Sequence, residues 1–86
     1  MMIVVKDFYA EWCMPCRMMA PVIEELKKKM KKVKFEKVNI EASQDEASRY
    51  GVRGVPTIII EKDGVEVKRL IGLRTKEALE EAIMSV

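Results

Sequence analysis

The stretch Glu11-Trp12-Cys13-Met14-Pro15-Cys16-Arg17 holds both cysteines of an 86-residue chain. Two thiols this close can be metal ligands, a structural disulfide, or a pair that cycles between dithiol and disulfide. The chain has no histidine, and that absence narrows the choice. A structural zinc site needs four ligands, usually Cys and His, and only the two cysteines are on offer. A c-type haem site needs His directly after the second cysteine, where Arg17 stands. Cys–His nucleophilic catalysis falls for the same reason. Metal binding survives only as a two-coordinate Cu(I)-type site or a site shared across a dimer. As a staple, the pair would close too short a loop to stabilise much through chain entropy.

The flanking composition sets the context for that pair. Apolar residues make up 49% of the chain and charged residues 35%, a balance that fits one small globular domain over residues 1–86 and argues against disorder. The formal net charge of +2 is too small to suggest a polyanion partner. The opening Met1-Met2-Ile3-Val4-Val5 is interrupted by Lys6, too soon for a signal peptide or a membrane span. The expectation is therefore a cytoplasmic protein, in a compartment where a lone close pair of thiols is more often catalytic or metal-binding than structural.

Working outward, Ile3 to Ala10 is β-branched and aromatic and reads as a strand buried on both faces, with Lys6 and Asp7 as exceptions. After the cysteines, Met19, Val22, Ile23, Leu26 and Met30 recur at helical spacing, with Pro21 inside the pattern and a kink expected there. Val33 to Ile40 reads as a second strand. Ser43 and Glu46 have the spacing of a capping box before a short helix that Gly51 closes after Tyr50. Pro56 to Glu61 and Val65 to Ile71 read as two strands joined by the hairpin signal Asp63-Gly64. Val65 and Val67 share a face that Leu70 misses, so a bulge near Lys68 or Arg69 is expected to return Leu70 to the core. Thr75 caps a last helix with Leu79, Ala82 and Ile83 as its buried stripe. The first two strands must be parallel, because a helix crosses between them, and the last two antiparallel. The fold class is α/β: a mixed four-stranded sheet in the order β-α-β-α-β-β-α with helices on both faces. The run Lys27 to Lys32 falls at a helix C-terminus, which favours cations, so it reads as a solvated face and not a nucleic-acid site.

Several of these stretches together resemble the thioredoxin family. They are Asp7-Phe8-Tyr9-Ala10-Glu11-Trp12-Cys13-Met14-Pro15-Cys16-Arg17-Met18 with Ala20-Pro21, then Lys37-Val38-Asn39-Ile40, then Tyr50-Gly51-Val52-Arg53-Gly54-Val55-Pro56-Thr57, and finally Lys62-Asp63-Gly64 with Gly72. The match is collinear over nearly the whole chain. Three departures stand out: the usual opening strand and helix are lacking, leaving a glutaredoxin-sized unit; Met14 stands where thioredoxins usually have Gly; and Tyr9 replaces a common Trp. With one covering helix missing, the sheet face that carries Lys6 is expected to be wet enough for a lysine.

The resemblance implies a thioredoxin-like protein-disulfide reductase cycling Cys13 and Cys16, with no cofactor beyond that redox-active disulfide. Cys13, at the helix N-terminus with an open face, would be the nucleophile, and Cys16, one turn in and shielded, the resolving thiol. Asp7, on a face that should be buried, is expected to have its pKa raised by burial and, by resemblance, would accept the Cys16 proton with Lys37 as its partner. Trp12, Met14, Pro15, Val55 and Pro56 would form the substrate-binding surface, Pro56 as the family's cis-proline. The implied partners are disulfide-containing target proteins and a thioredoxin-reductase-type electron donor, acting on a monomer without nucleic acid or membrane. One alternative is a glutathione-linked glutaredoxin-like role, disfavoured because Pro15 precedes the second cysteine instead of following the first. The other is a Cu(I)-binding metallochaperone, which would have a βαββαβ order.

Overall fold

In the computed structural model, which describes residues 1–86, each expected element forms in the expected order. The elements are β1 (Ile3–Tyr9), α1 (Met14–Lys29), β2 (Val33–Asn39), α2 (Gln44–Arg49), β3 (Thr57–Lys62), β4 (Val65–Ile71) and α3 (Lys76–Met84). The sheet runs β2-β1-β3-β4, with β1 parallel to β2 and antiparallel to β3, and β3 antiparallel to β4. No helix is long and apolar enough to cross a membrane.

Side-chain alternation along the two central strands builds both layers. Val5, Ile58 and Ile60 meet Met19, Ile23 and Leu26 of α1 and Leu79, Ala82 and Ile83 of α3. On the opposite face Phe8, Val38 and Ile59 pack against Ala47 of α2. Ile58, Ile59 and Ile60 are all fully buried, because β3 has helices on both sides. Pro21 lies inside α1, which continues past it to Lys29. Leu26 sits at the centre of the larger cluster with no exposed surface. Leu26→Ala should therefore cost about 2–5 kcal/mol in chemical denaturation, a large share of the stability of so small a domain; a loss below about 1 kcal/mol would show that the site collapses to refill the space.

Three local expectations are corrected. The bulge lies one residue earlier than expected: the β3–β4 register shifts at Ile60/Glu61, leaving Val67 as the unpaired extra residue of β4. Leu70 reaches the larger core, but Val65 and Val67 are exposed, since β4 is an edge strand. Ser43 is the N-cap of α2 without a side-chain cap hydrogen bond. The capping box does not form, because Lys6 Nζ donates to Glu46 Oε2 at 2.8 Å and holds that carboxylate across the sheet.

Lys6 shows the third correction. Its side chain is largely shielded from water and is held by Glu36 at 3.2 Å and Glu46 at 2.8 Å, with its Nζ 5.1 Å from the Tyr50 ring centroid. Burial alone would lower its pKa, but the hydrogen bonds to Glu46 and Glu36 outweigh it and raise the value well above normal. Pairing, not wetness, makes the lysine tolerable on this face. At the far end of α1, Lys27, Lys28 and Lys29 occupy the last turn, where the helix dipole favours cations, and Lys29 pairs with Glu80 at 2.6 Å.

Candidate active site

The C-terminal ends of β1 and β2, the start of α1 and the loop before β3 meet around the cysteines. Ala10, Cys13 and Cys16 form a small buried cluster, with Tyr9, Ile40 and Val55 packed against it. Cys13 and Cys16 are joined by a disulfide with Cα atoms 5.3 Å apart. α1 begins here because Cys13 has extended backbone geometry and Pro15 occupies the first turn, where a missing N–H costs nothing.

The expectation that Cys13 alone has an open face is not met in this disulfide form. Cys13 is 4% exposed and Cys16 7%. Hydrogen bonding separates the two sulfurs instead. Cys13 is the N-cap of α1, and its Sγ accepts the Cys16 backbone N–H at 3.2 Å. A negative charge on that sulfur would meet both this donor and the positive end of a 16-residue helix. Trp12, Met14 and Pro15 are exposed around it.

The peptide bond Val55–Pro56 is cis, as the resemblance implied. The loop around it is tied down at two points. Thr57 Oγ1 donates to the Gly54 carbonyl at 2.6 Å, and the Gly72 N–H donates to the Pro56 carbonyl at 2.8 Å. Gly72 has φ +93°, a backbone conformation that side chains with a Cβ rarely adopt.

A cavity of about 250 Å³ opens beside Cys16, lined also by Asp7, Tyr9, Glu11, Arg17 and Lys37. Asp7 is 6% exposed, the most buried carboxylate of the chain. Burial pushes its pKa up to about 6 from 3.8, partly offset by the charge of Lys37. Lys37 is the β2 register partner of Asp7 but forms no salt bridge with it; its Nζ sits 4.8 Å from the Tyr9 ring centroid. Asp7 and Lys37 are thus neighbours through field and not contact. No group of three or more His, Cys, Asp or Glu side chains converges as a metal cluster.

Arg17 plays a part that its sequence position did not reveal. Its Nε and a terminal nitrogen donate to the Glu11 carbonyl at 3.0 and 2.8 Å, so the guanidinium closes the turn that carries Trp12 and Cys13. The signal was available, a forked donor directly after Cys16, but its acceptor is a main-chain oxygen that the turn alone brings into reach.

Comparison with known proteins adds a separate line. The family model described as Thioredoxin matches residues 1–85. The thioredoxin of Bacillus subtilis is 44% identical over 82 residues, covering 94% of this chain and 79% of that protein. The thioredoxin of Chlamydia caviae is 47% identical over 77 residues, covering 90% and 76%. Among solved structures, Fasciola hepatica thioredoxin superposes with a TM-score of 0.93 at 39% identity, covering 98% of this chain and 80% of that one. The oxidised form of mitochondrial thioredoxin 3 from Saccharomyces cerevisiae gives 0.91 at 37% identity, with coverages of 98% and 78%.

Proposed function

The chain belongs to the thioredoxin family and is a thiol–disulfide oxidoreductase, and from that premise we propose that Cys13 attacks, Cys16 resolves and Asp7 takes the Cys16 proton. The observation that carries the assignment is the N–H of Cys16 donated to Cys13 Sγ at the start of α1. It stabilises the thiolate form of one sulfur only. The Cys13 thiolate attacks a target disulfide, forming a mixed disulfide and releasing the first target thiol. Cys16 then loses its proton to Asp7 across the shared cavity and attacks the Cys13 sulfur. The second target sulfur leaves as thiolate, and two electrons have passed to the target, leaving the Cys13–Cys16 disulfide of this structure.

Lys37 tunes Asp7 by keeping its pKa from rising further. Trp12, Met14 and Pro15 on one side of the disulfide and Val55 on the other form the docking surface for an extended target segment, whose backbone pairs with that of Val55; Pro56, expected on this surface, is fully buried and acts by fixing the backbone of Val55. The protein acts in the cytoplasm as a monomer, needs no cofactor besides its disulfide, and is re-reduced by a thioredoxin-reductase-type donor. Its partners are disulfide-containing proteins, not nucleic acid or membrane.

The test is insulin disulfide reduction, supplied in parallel with dithiothreitol and with purified reductases of different electron source. Catalysed precipitation of the insulin B chain is expected. No catalysis, together with tight one-to-one Cu(I) uptake by the reduced protein, would replace the reductase reading with metal carriage.

A further inference from the structure

The three segments that frame the disulfide each carry an arginine. Arg17 follows Cys16 and is held over the Glu11 carbonyl. Arg53 is exposed in the loop leading to Val55 and Pro56. Arg74 folds back after Gly72: its guanidinium donates to the Leu73 carbonyl at 3.4 Å and lies 3.9 Å from where a Cβ of Gly72 would stand. Gly72 in turn bonds the Pro56 carbonyl, which ties the segment carrying Arg74 to the cis-proline loop. None of the three arginines forms a salt bridge, nor does Arg49 at the end of α2, whereas Arg69 is paired with Glu66.

The exposed carboxylates nearest the cysteines in the chain and the fold are Glu11, on the active-site turn, and Glu41, which follows Ile40 at the edge of the cysteine cluster. Asp7 also lies beside the disulfide, but it is buried and its charge is set against that of Lys37 across the same cavity. The exposed cation Lys37 lies near the same cavity. With 16 basic and 14 acidic residues over the whole chain, general basicity does not account for this rim. The same segments also carry exposed apolar side chains: Trp12 and Met14 beside the cysteines, and Ile71 and Leu73 on either side of Gly72. Unpaired guanidinium groups beside exposed apolar side chains suit a partner that is apolar at the contact and acidic at its margin.

We propose that the preferred targets of this reductase are disulfides whose flanking residues include Asp or Glu, drawn in and aligned by Arg17, Arg53 and Arg74. The proposal rests on the reductase reading above and names its substrate class. Steering by a cationic rim acts on the association step, so its effect is on the second-order rate and weakens with salt.

Two disulfide-bonded peptides, identical except for Glu or Lys on both sides of the attacked cysteine, provide the probe. Hydroxyethyl disulfide serves as the uncharged reference. Each peptide rate is divided by its own rate with 2-mercaptoethanol, which removes the intrinsic effect of the flanking charge on exchange. At low salt, near 10 mM, where the Debye length is about 30 Å, the Glu peptide should react about tenfold faster than the Lys peptide. The ratio should shrink towards unity in 1 M salt, where that length is about 3 Å.

The double variant Arg53→Gln/Arg74→Gln should lose most of the ratio. Lys31→Gln/Lys32→Gln removes the same charge just beyond the other end of α1, roughly 24 Å away at about 1.5 Å per helical residue, and should keep it. Equal rates for the two peptides would overturn the proposal while continued reduction of hydroxyethyl disulfide leaves the reductase reading standing. An undiminished ratio in the arginine double variant would also overturn it. Failure to reduce any of the three disulfides would remove the reductase reading and this proposal with it.

Discussion

Cys13→Ser is expected to abolish insulin reduction completely, while Cys16→Ser still attacks and accumulates as a covalent mixed disulfide with its target. The asymmetry follows from the helix start. Only Cys13 Sγ receives a backbone N–H and lies at the positive end of α1, so a thiolate is expected to be favoured at that sulfur. A serine hydroxyl in its place remains protonated and does not attack. Cys16→Ser keeps the nucleophile but removes the sulfur that resolves the mixed disulfide, so the first covalent product persists. Mass spectrometry of each variant after incubation with a disulfide target distinguishes the two outcomes. Limiting alkylation of the reduced wild type followed by peptide mapping gives an independent check: Cys13 should carry the label. Preferential labelling of Cys16 would reverse the roles.

Asp7→Asn should slow exchange near neutral pH by about 10²-fold or more, the usual scale for losing a positioned general base. The same substitution should stabilise the fold, because a neutral amide loses less on burial than a carboxylate. The two effects have opposite sign and one cause. Asp7 has a folded pKa of about 6 against an ordinary 3.8. A carboxyl whose folded pKa is raised binds its proton more tightly in the native state. Its full stability is present below the lower value and is lost as pH rises towards the upper one. The stability gap between Asp7→Asn and wild type should therefore open between about pH 4 and pH 6 and level off above that. Across that window the gap should grow by about 3 kcal/mol, at about 1.4 kcal/mol per pKa unit. Urea melts of the disulfide forms at half-unit pH steps measure it. A gap that is constant with pH, together with unaltered exchange, would make Asp7 a bystander.

In the proposed mechanism, burial and proton acceptance at Asp7 are two sides of one placement. The carboxylate lies on the same face of β1 as Val5, turned towards α1, and shares its cavity with Cys16 and Lys37. A more stable residue there would be a less useful one.

The sequence by itself determined the element order, the parallel and antiparallel pairings, the two helix layers and the residues of the redox pair. These follow from local rules: periodicity of apolar residues, proline and glycine punctuation, and the handed crossover between parallel strands. Asp7 was legible as a candidate because an aspartate on a buried strand face violates such a rule and calls for a reason; its burial beside Cys16 is what the structure adds. What remained hidden depends on groups far apart in the chain meeting in space. The capping box of α2 was lost to Lys6, 40 residues away from Glu46. The bulge settled at Val67 because the pairing of β4 with β3 decides register, not the side-chain pattern of β4 alone. Arg17 meets a main-chain acceptor, and Arg74 lies beside Gly72, because the active-site turn and the β4–α3 loop fold back on themselves. Local propensity writes the elements; long side chains and edge registers are decided by whichever partner the folded sheet brings within hydrogen-bond reach.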